Sequence, residues 1–194
     1  MASDENTHVL YGEEAVRQLD PETLDRLARD SELEYAKSPD ELPGLIQKWH
    51  RRMRGVLDTQ QIAAVTVGAQ QEVVAIAGFH LIGRTDDGRP VYEAGRSVTL
   101  RDHRHHGYYK MAMGKVMEEI RRLAPEAVIV RSTQKSEVKA NAGHSGFVPI
   151  DQETYDRYRA NLSGEKLSTG KSVHGGEYEF FALDLVKQDA ETEV

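Results

Sequence analysis

Ser97-Val98-Thr99-Leu100-Arg101-Asp102-His103-Arg104-His105-His106-Gly107-Tyr108-Tyr109 separates two stretches of different periodicity. The residues leading into it, Val91 to Leu100, read as a β-strand. After it, Tyr109, Met113, Val116, Met117, Ile120 and Leu123 fall along one face of a helix spanning Tyr108 to Leu123. A loop in this position meets the first turn of a helix, where unpaired backbone N–H groups carry a partial positive charge. Arg104, just ahead of that turn, adds a full one. Together they make a seat for a pyrophosphate. Gly107 lets the backbone approach a ligand with no Cβ in the way, and His105 and His106 supply further hydrogen-bond donors.

On the amino-terminal side, Ile62 to Val67 and Val73 to Ile82 are β-branched runs separated by Gly68-Ala69-Gln70-Gln71, the pattern of an antiparallel hairpin. Asp86-Asp87-Gly88 then turns the chain into the Val91 strand, and Gly95 marks a bulge position. Farther upstream, Asp20-Pro21 starts a helix that runs to about Arg29, with Leu24 and Leu27 as its buried side. Ser38-Pro39 starts another, with Leu42, Leu45, Ile46, Trp49 and Met53 at helical spacing, ending near Arg54.

On the carboxyl side, Pro125 ends the central helix. Ala127-Val128-Ile129-Val130 is a short apolar run suited to a strand covered on both faces. A strand, helix and strand in this order form a right-handed crossover, so the two strands are expected to be parallel. A short helix from about Ser136, a strand near Phe147, a polar helix or loop from Asp151 to Ser172 and a last strand from Tyr178 to Val186 complete the pattern. Residues 1–12 are expected to be an unstructured start, 13–186 one domain, and 187–194 an unstructured acidic tail.

The chain's 194 residues suit one ordinary core. With no cysteine, disulfides, thiolate metal ligands and any acyl-cysteine intermediate are excluded. A net charge of −7 argues against a protein built to coat nucleic acid. No apolar run approaches the roughly 20 residues of a membrane span. The acidic start, Met1 to His8, lacks the basic and apolar parts of a secretory signal, so the expected location is cytoplasmic.

Arg104-His105-His106-Gly107-Tyr108-Tyr109 resembles the Arg/Gln-x-x-Gly-x-Gly/Ala loop of the GNAT superfamily of acyl-CoA-dependent N-acetyltransferases. The order of elements is similar too, including Gly146-Phe147 where that family commonly opens a strand with Gly-Phe. The resemblance implies an α/β fold: a mixed, mostly antiparallel central sheet flanked by helices, with a parallel strand-helix-strand unit binding CoA. It implies that Val98, Thr99 and Leu100 present backbone groups to the pantetheine arm of acetyl-CoA. Arg104, His105, His106, Gly107, Tyr108 and Tyr109 would wrap the pyrophosphate. Tyr109 departs from the pattern, standing where the family usually has Gly or Ala.

The implied chemistry is direct attack of an amine acceptor on the thioester, which needs a base for the amine and an acid for the departing thiolate. Glu93 lies on the strand leading to the loop, where such enzymes often place a carboxylate; the plainer alternative is a polar residue on a wet strand face. The family's frequent acid, a Tyr four residues before the Gly-Phe pair, is replaced by Ala142. His144 is the nearby substitute, with an ordinary surface histidine as its alternative. Asp102, His103, His105 and His106 also form a dense cluster, but adjacent residues rarely converge on one ion, so no metal is expected. Tyr155, Tyr158, Phe180 and Phe181 suit either an acceptor pocket or plain packing. The acceptor is a small molecule or a protein amine. Homodimer pairing through exposed strand edges stays open. The competing functions are an acyl-CoA-binding module without turnover, and a metal-binding or nucleic-acid-binding module centred on Arg101 to His106.

Overall fold

In the computed structural model, which describes residues 6–133, 146–163 and 179–186, Asp20 opens a helix as its sequence promises. Its side chain accepts the Thr23 N–H at 2.8 Å, and Pro21 occupies the first turn. That hydrogen bond holds the Asp20 carboxyl below the usual aspartate range. This helix is preceded by strand β1 (His8–Tyr11) and a single helical turn, α1 (Glu13–Arg17), so the helix itself is α2 (Pro21–Glu32). β1 corrects the expectation of an unstructured start through residue 12: it pairs antiparallel with a later strand, His8 opposite Thr66 and Tyr11 opposite Ala63.

α3 (Leu42–Asp58) begins three residues later than the Ser38-Pro39 signal suggests. Its first turn takes Pro43, the ring that lacks the N–H a helix start does not need. Glu41 has no side-chain cap bond to this helix; its carboxylate accepts the Lys37 N–H at 2.9 Å. From α3 the chain enters β2 (Ile62–Val67), β3 (Glu72–Arg84) and β4 (Pro90–Thr99), then a 3-10 turn at Arg101–His103 and α4 (Tyr108–Leu123). β5 (Val128–Thr133), β6 (Val148–Ile150), α5 (Gln152–Ser163) and β7 (Glu179–Asp184) follow. The short helix expected from Ser136 lies outside the described residues.

The seven strands form one mixed sheet in the order β1-β2-β3-β4-β5-β7-β6. β4 and β5 are parallel, as the crossover requires, with Val91, Tyr92 and Glu93 opposite Val128, Ile129 and Val130. β7 runs antiparallel to both β5 and β6. This is the mixed, mostly antiparallel sheet flanked by helices that the sequence leads one to expect.

The described residues divide into two compact units, one within Met1–Phe79 and Gly95–Glu118, the other within His80–Ala94 and Glu119–Val194. In the first, Leu27 and Ala28 of α2 and Trp49, Met53 and Val56 of α3 bury against Ile62, Ala64, Val73, Ile76, Val98 and Leu100. Each Leu, Val, Ile or Met among them contributes about 1.5–3 kcal/mol by leaving water. At the edge of this core the buried Glu32 accepts from the guanidinium of half-buried Arg52 at 2.9 Å. In the second unit, Ile82, Val91, Val128, Val130, Tyr155, Phe180 and Ala182 pack together. Arg89 ties the β3–β4 turn to β7 through both oxygens of Asp184, at 2.8 and 3.1 Å.

Gly78, opposite Ile62 in the β2–β3 ladder, is a close-approach glycine. A Cβ there would lie 2.5 Å from Val56 Cγ1 and 3.1 Å from the Gln61 carbonyl oxygen. Gly78→Ala should therefore cost roughly 1–3 kcal/mol of stability through overpacking between α3 and the sheet. Urea unfolding measures it, and an unchanged midpoint would mean the helix has room to move.

Candidate functional site

The loop between β4 and α4 belongs to the first unit. β4 ends at Thr99, and the Leu100 N–H donates to the Val74 carbonyl at 2.8 Å. The Leu100 carbonyl accepts the His103 N–H at 2.9 Å, and the Leu100 side chain is buried. Leu100 is thus an anchor of the loop, its backbone groups already engaged within the unit. Val98 is buried as well, which leaves Thr99 as the half-exposed member of the three residues expected to meet a pantetheine arm.

Beyond the 3-10 turn the backbone enters the left-handed region twice, at His105 (φ 68°) and Gly107 (φ 85°). These two positions bend the loop sharply just before the first turn of α4, whose unpaired N–H groups follow directly. Gly107 is exposed, and its carbonyl accepts from the Lys110 and Met111 amides at 2.9 and 3.2 Å, which opens α4. His105 and His106 are exposed, so their rings are accessible donors. Tyr108 is different: its ring is buried, stacked on His106 at 5.7 Å and flanked by His103 at 6.3 Å. Its backbone N–H, in the first turn of α4, is a donor for an incoming anion. Tyr109, at the position of the motif's second small residue, is half-buried.

Two carboxylates from the end of α2 already sit on this loop. Asp30 accepts the Arg101 backbone N–H at 2.7 Å, and Glu34 accepts from the Arg104 guanidinium. They take donors of the kind a phosphate would use. Nothing in the spacing of α2 announces this contact, because it joins residues some 70 positions apart.

Glu93 belongs to the second unit, on β4 five residues before Val98. Its Oε1 accepts two hydroxyl hydrogen bonds, from Tyr155 Oη at 2.7 Å and from Ser132 Oγ at 3.0 Å. Its Oε2 lies 3.5 Å from His80 Nε2, an ion-pair distance when the imidazole is protonated. Glu93 is only 15% exposed in its side chain, His80 31%. A wet strand face does not describe this environment. Tyr155 is buried with its ring 4.4 Å from Phe180, so the hydroxyl is delivered by a packed core residue. Of the aromatic residues singled out in the sequence, Phe180 and Phe181 line an open cavity of about 360 Å³ with Asp151 and Glu179, whereas Tyr155 points its hydroxyl at Glu93. His80 and Ser132 escape sequence reasoning altogether. His144 lies outside the described residues. Among the described residues no group of three or more His, Asp or Glu side chains gathers as a metal site, and no helix is long and apolar enough to cross a membrane.

The sequence matches no protein-family profile and no curated protein. The fold does have solved counterparts. The PaiA N-acetyltransferase of Thermoplasma acidophilum, solved in complex with coenzyme A, superposes with a TM-score of 0.62 at 12% identity, over 92% of this chain and 98% of that one. A GNAT-family acetyltransferase of Staphylococcus aureus Mu50 gives 0.56 at 12% identity, over 92% and 99%. An acetyltransferase of Exiguobacterium sp. 255-15, described as putative in its own structure, gives 0.56 at 13%, over 97% and 99%. The chain has the fold of the GNAT acetyltransferases.

Proposed function

We propose that this protein transfers an acetyl group from acetyl-CoA to an amine acceptor by direct attack within a ternary complex. The observation that carries this reading is the β4–loop–α4 segment, where Arg104, the left-handed turns at His105 and Gly107 and the start of α4 follow one another in a single loop within a GNAT fold. The neighbour from Thermoplasma was solved with coenzyme A, which supports the same ligand here. The pyrophosphate takes the loop from Arg104 to Tyr109, and the pantetheine arm follows Val98 and Thr99, with Leu100 fixing the bend by its hydrogen bonds to Val74 and His103.

In the reaction the amine lone pair attacks the thioester carbonyl carbon. The C–N bond forms, the C–S bond breaks, and the thiolate leaves with its electron pair. Glu93 supplies the carboxylate of the base that receives the amine proton, and His144 is the group assigned to protonate the thiolate. No metal takes part in these steps. The Glu93 environment supports its role, since a carboxylate held by two hydroxyl donors has a fixed orientation.

A second reading, an acyl-CoA-binding module without turnover, draws on Tyr109 in a position of small residues and on Ala142 where the family often has its acid. Calorimetric titration with acetyl-CoA, followed by a thiol-release assay over a panel of small amines and peptides, separates the two. Micromolar binding with turnover is the expected result. Binding without turnover on any amine would favour the module, and no binding would overturn both.

A further inference from the structure

We infer that His80 is the proton-accepting partner of Glu93, with Tyr155 and Ser132 acting as positioning residues for the carboxylate between them. The inference rests on the acyl-transfer reading and deepens it by naming where the amine's proton comes to rest. All four side chains belong to one compact unit.

The arrangement is ordered from the core outward. Tyr155, 4% exposed and packed on Phe180, is the innermost group. It and Ser132 of β5 donate to the same oxygen, Oε1, which fixes the plane of the Glu93 carboxylate. With that plane set, Oε2 faces Nε2 of His80 on β3. The 3.5 Å gap is longer than a good hydrogen bond, so a modest movement of either side chain, or a proton on the ring, would close it. His80 is the more exposed of the pair.

Proton affinity explains why the second group matters. An alkyl amine acceptor arrives largely as an ammonium, with a pKa near that of lysine, about 10. A carboxylate of ordinary affinity, at about 4.3, holds a proton poorly on its own at neutral pH. Imidazole, at about 6.5, is matched to that pH. A proton taken from the amine at Glu93 Oε2 therefore passes to His80 Nε2, leaving an imidazolium beside a carboxylate. The nitrogen sheds its second proton as the C–N bond forms and the C–S bond breaks, and the departing thiolate takes up one proton, so each turnover leaves one proton on His80 to be released to water. Among the described residues, Tyr155 from α5 donates to Glu93 Oε1 and His80 from β3 faces Oε2, while Arg131 of β5 has its guanidinium 5.6 Å from the centre of the Phe147 ring.

The test uses the full-length protein in two measurements. In kcat/KM against pH for an accepted amine, the acid limb of the wild type should fall in the imidazole range, well above that of a carboxylate. His80→Gln should lower the rate about 10- to 100-fold and carry that limb down toward carboxylate values. A His80→Gln enzyme with an unmoved limb overturns the inference while leaving acyl transfer intact. In parallel, NMR titration of the His80 ring should show its midpoint falling by about one pH unit in Glu93→Gln, because a neighbouring carboxylate favours imidazolium. A ring midpoint indifferent to Glu93 overturns the coupling regardless of turnover. A wild type that acetylates no amine fails the acyl-transfer reading and the catalytic role of His80 with it, whereas the ring titration still decides whether the two groups share a proton.

Discussion

Arg104→Glu should weaken CoA binding by about 100-fold or more while the protein stays folded. Two losses combine. The guanidinium's charge-assisted hydrogen bond to phosphate disappears, an interaction of about 1.5–3 kcal/mol. A carboxylate then faces the phosphate with like charge, and each further 1.4 kcal/mol is another factor of ten. Arg104 is one-third exposed and joined to Glu34, which itself remains about as accessible, so the fold does not depend on it. Glu34 also sets up a control of opposite sign. The Arg104 guanidinium is engaged by Glu34, and an incoming pyrophosphate has to compete with that carboxylate. Glu34→Gln should tighten CoA binding severalfold. Calorimetry on both variants checks the pair; equal affinity for Arg104→Glu and wild type would remove the loop from the binding site.

Glu93→Gln should lower kcat by about 100- to 10,000-fold with CoA affinity unchanged. The substitution is nearly isosteric, and the amide oxygen can still accept the Tyr155 and Ser132 hydroxyls, so the surrounding packing is retained. What is lost is the charge that draws a proton from the amine and balances an imidazolium at His80. Steady-state rates together with acetyl-CoA titration measure it. Normal turnover would reduce Glu93 to a structural hydrogen-bond acceptor, and lost CoA binding would mean that it supports the fold of the site rather than its chemistry.

The elements that the sequence makes plain are those whose information is local. The helix from Tyr108 to Leu123 has its apolar residues on one face and its breaker at Pro125, and it is found with those bounds. The parallel pairing of β4 with β5 follows from handedness alone. β1 was hidden because four residues, His-Val-Leu-Tyr, carry too little alternation to show a strand; the partner at Ala63 to Thr66 makes it one. The start of α3 was misplaced because two prolines, Pro39 and Pro43, both fit a helix's first turn, and only the packing of Trp49, Met53 and Val56 selects between them. The site divides in the same way. Arg104 and Gly107 stand out by their place before a helix. Glu93 is visible as a carboxylate on the strand before them, but its partners Ser132 and Tyr155 are 39 and 62 residues away, and His80 sits alone in an apolar strand. Side chains brought together by sheet neighbours leave no pattern along the chain.

β7 is the last strand in the chain, yet in the sheet it lies between β5 and β6. Six of its residues pair with β5 and three with β6, and β6 has no other strand partner among the described residues. During synthesis β2 and β3 can zip together as a hairpin as they emerge, and β1, made earlier, can join the outer edge of β2 at once. β5 must wait with one edge open until residues Glu179 to Asp184 have left the ribosome, because long-range pairing pays its loop-closure entropy before any contact repays it. The nascent chain is therefore most exposed to sticking, and most dependent on chaperones, in the interval between making β5 and making β7.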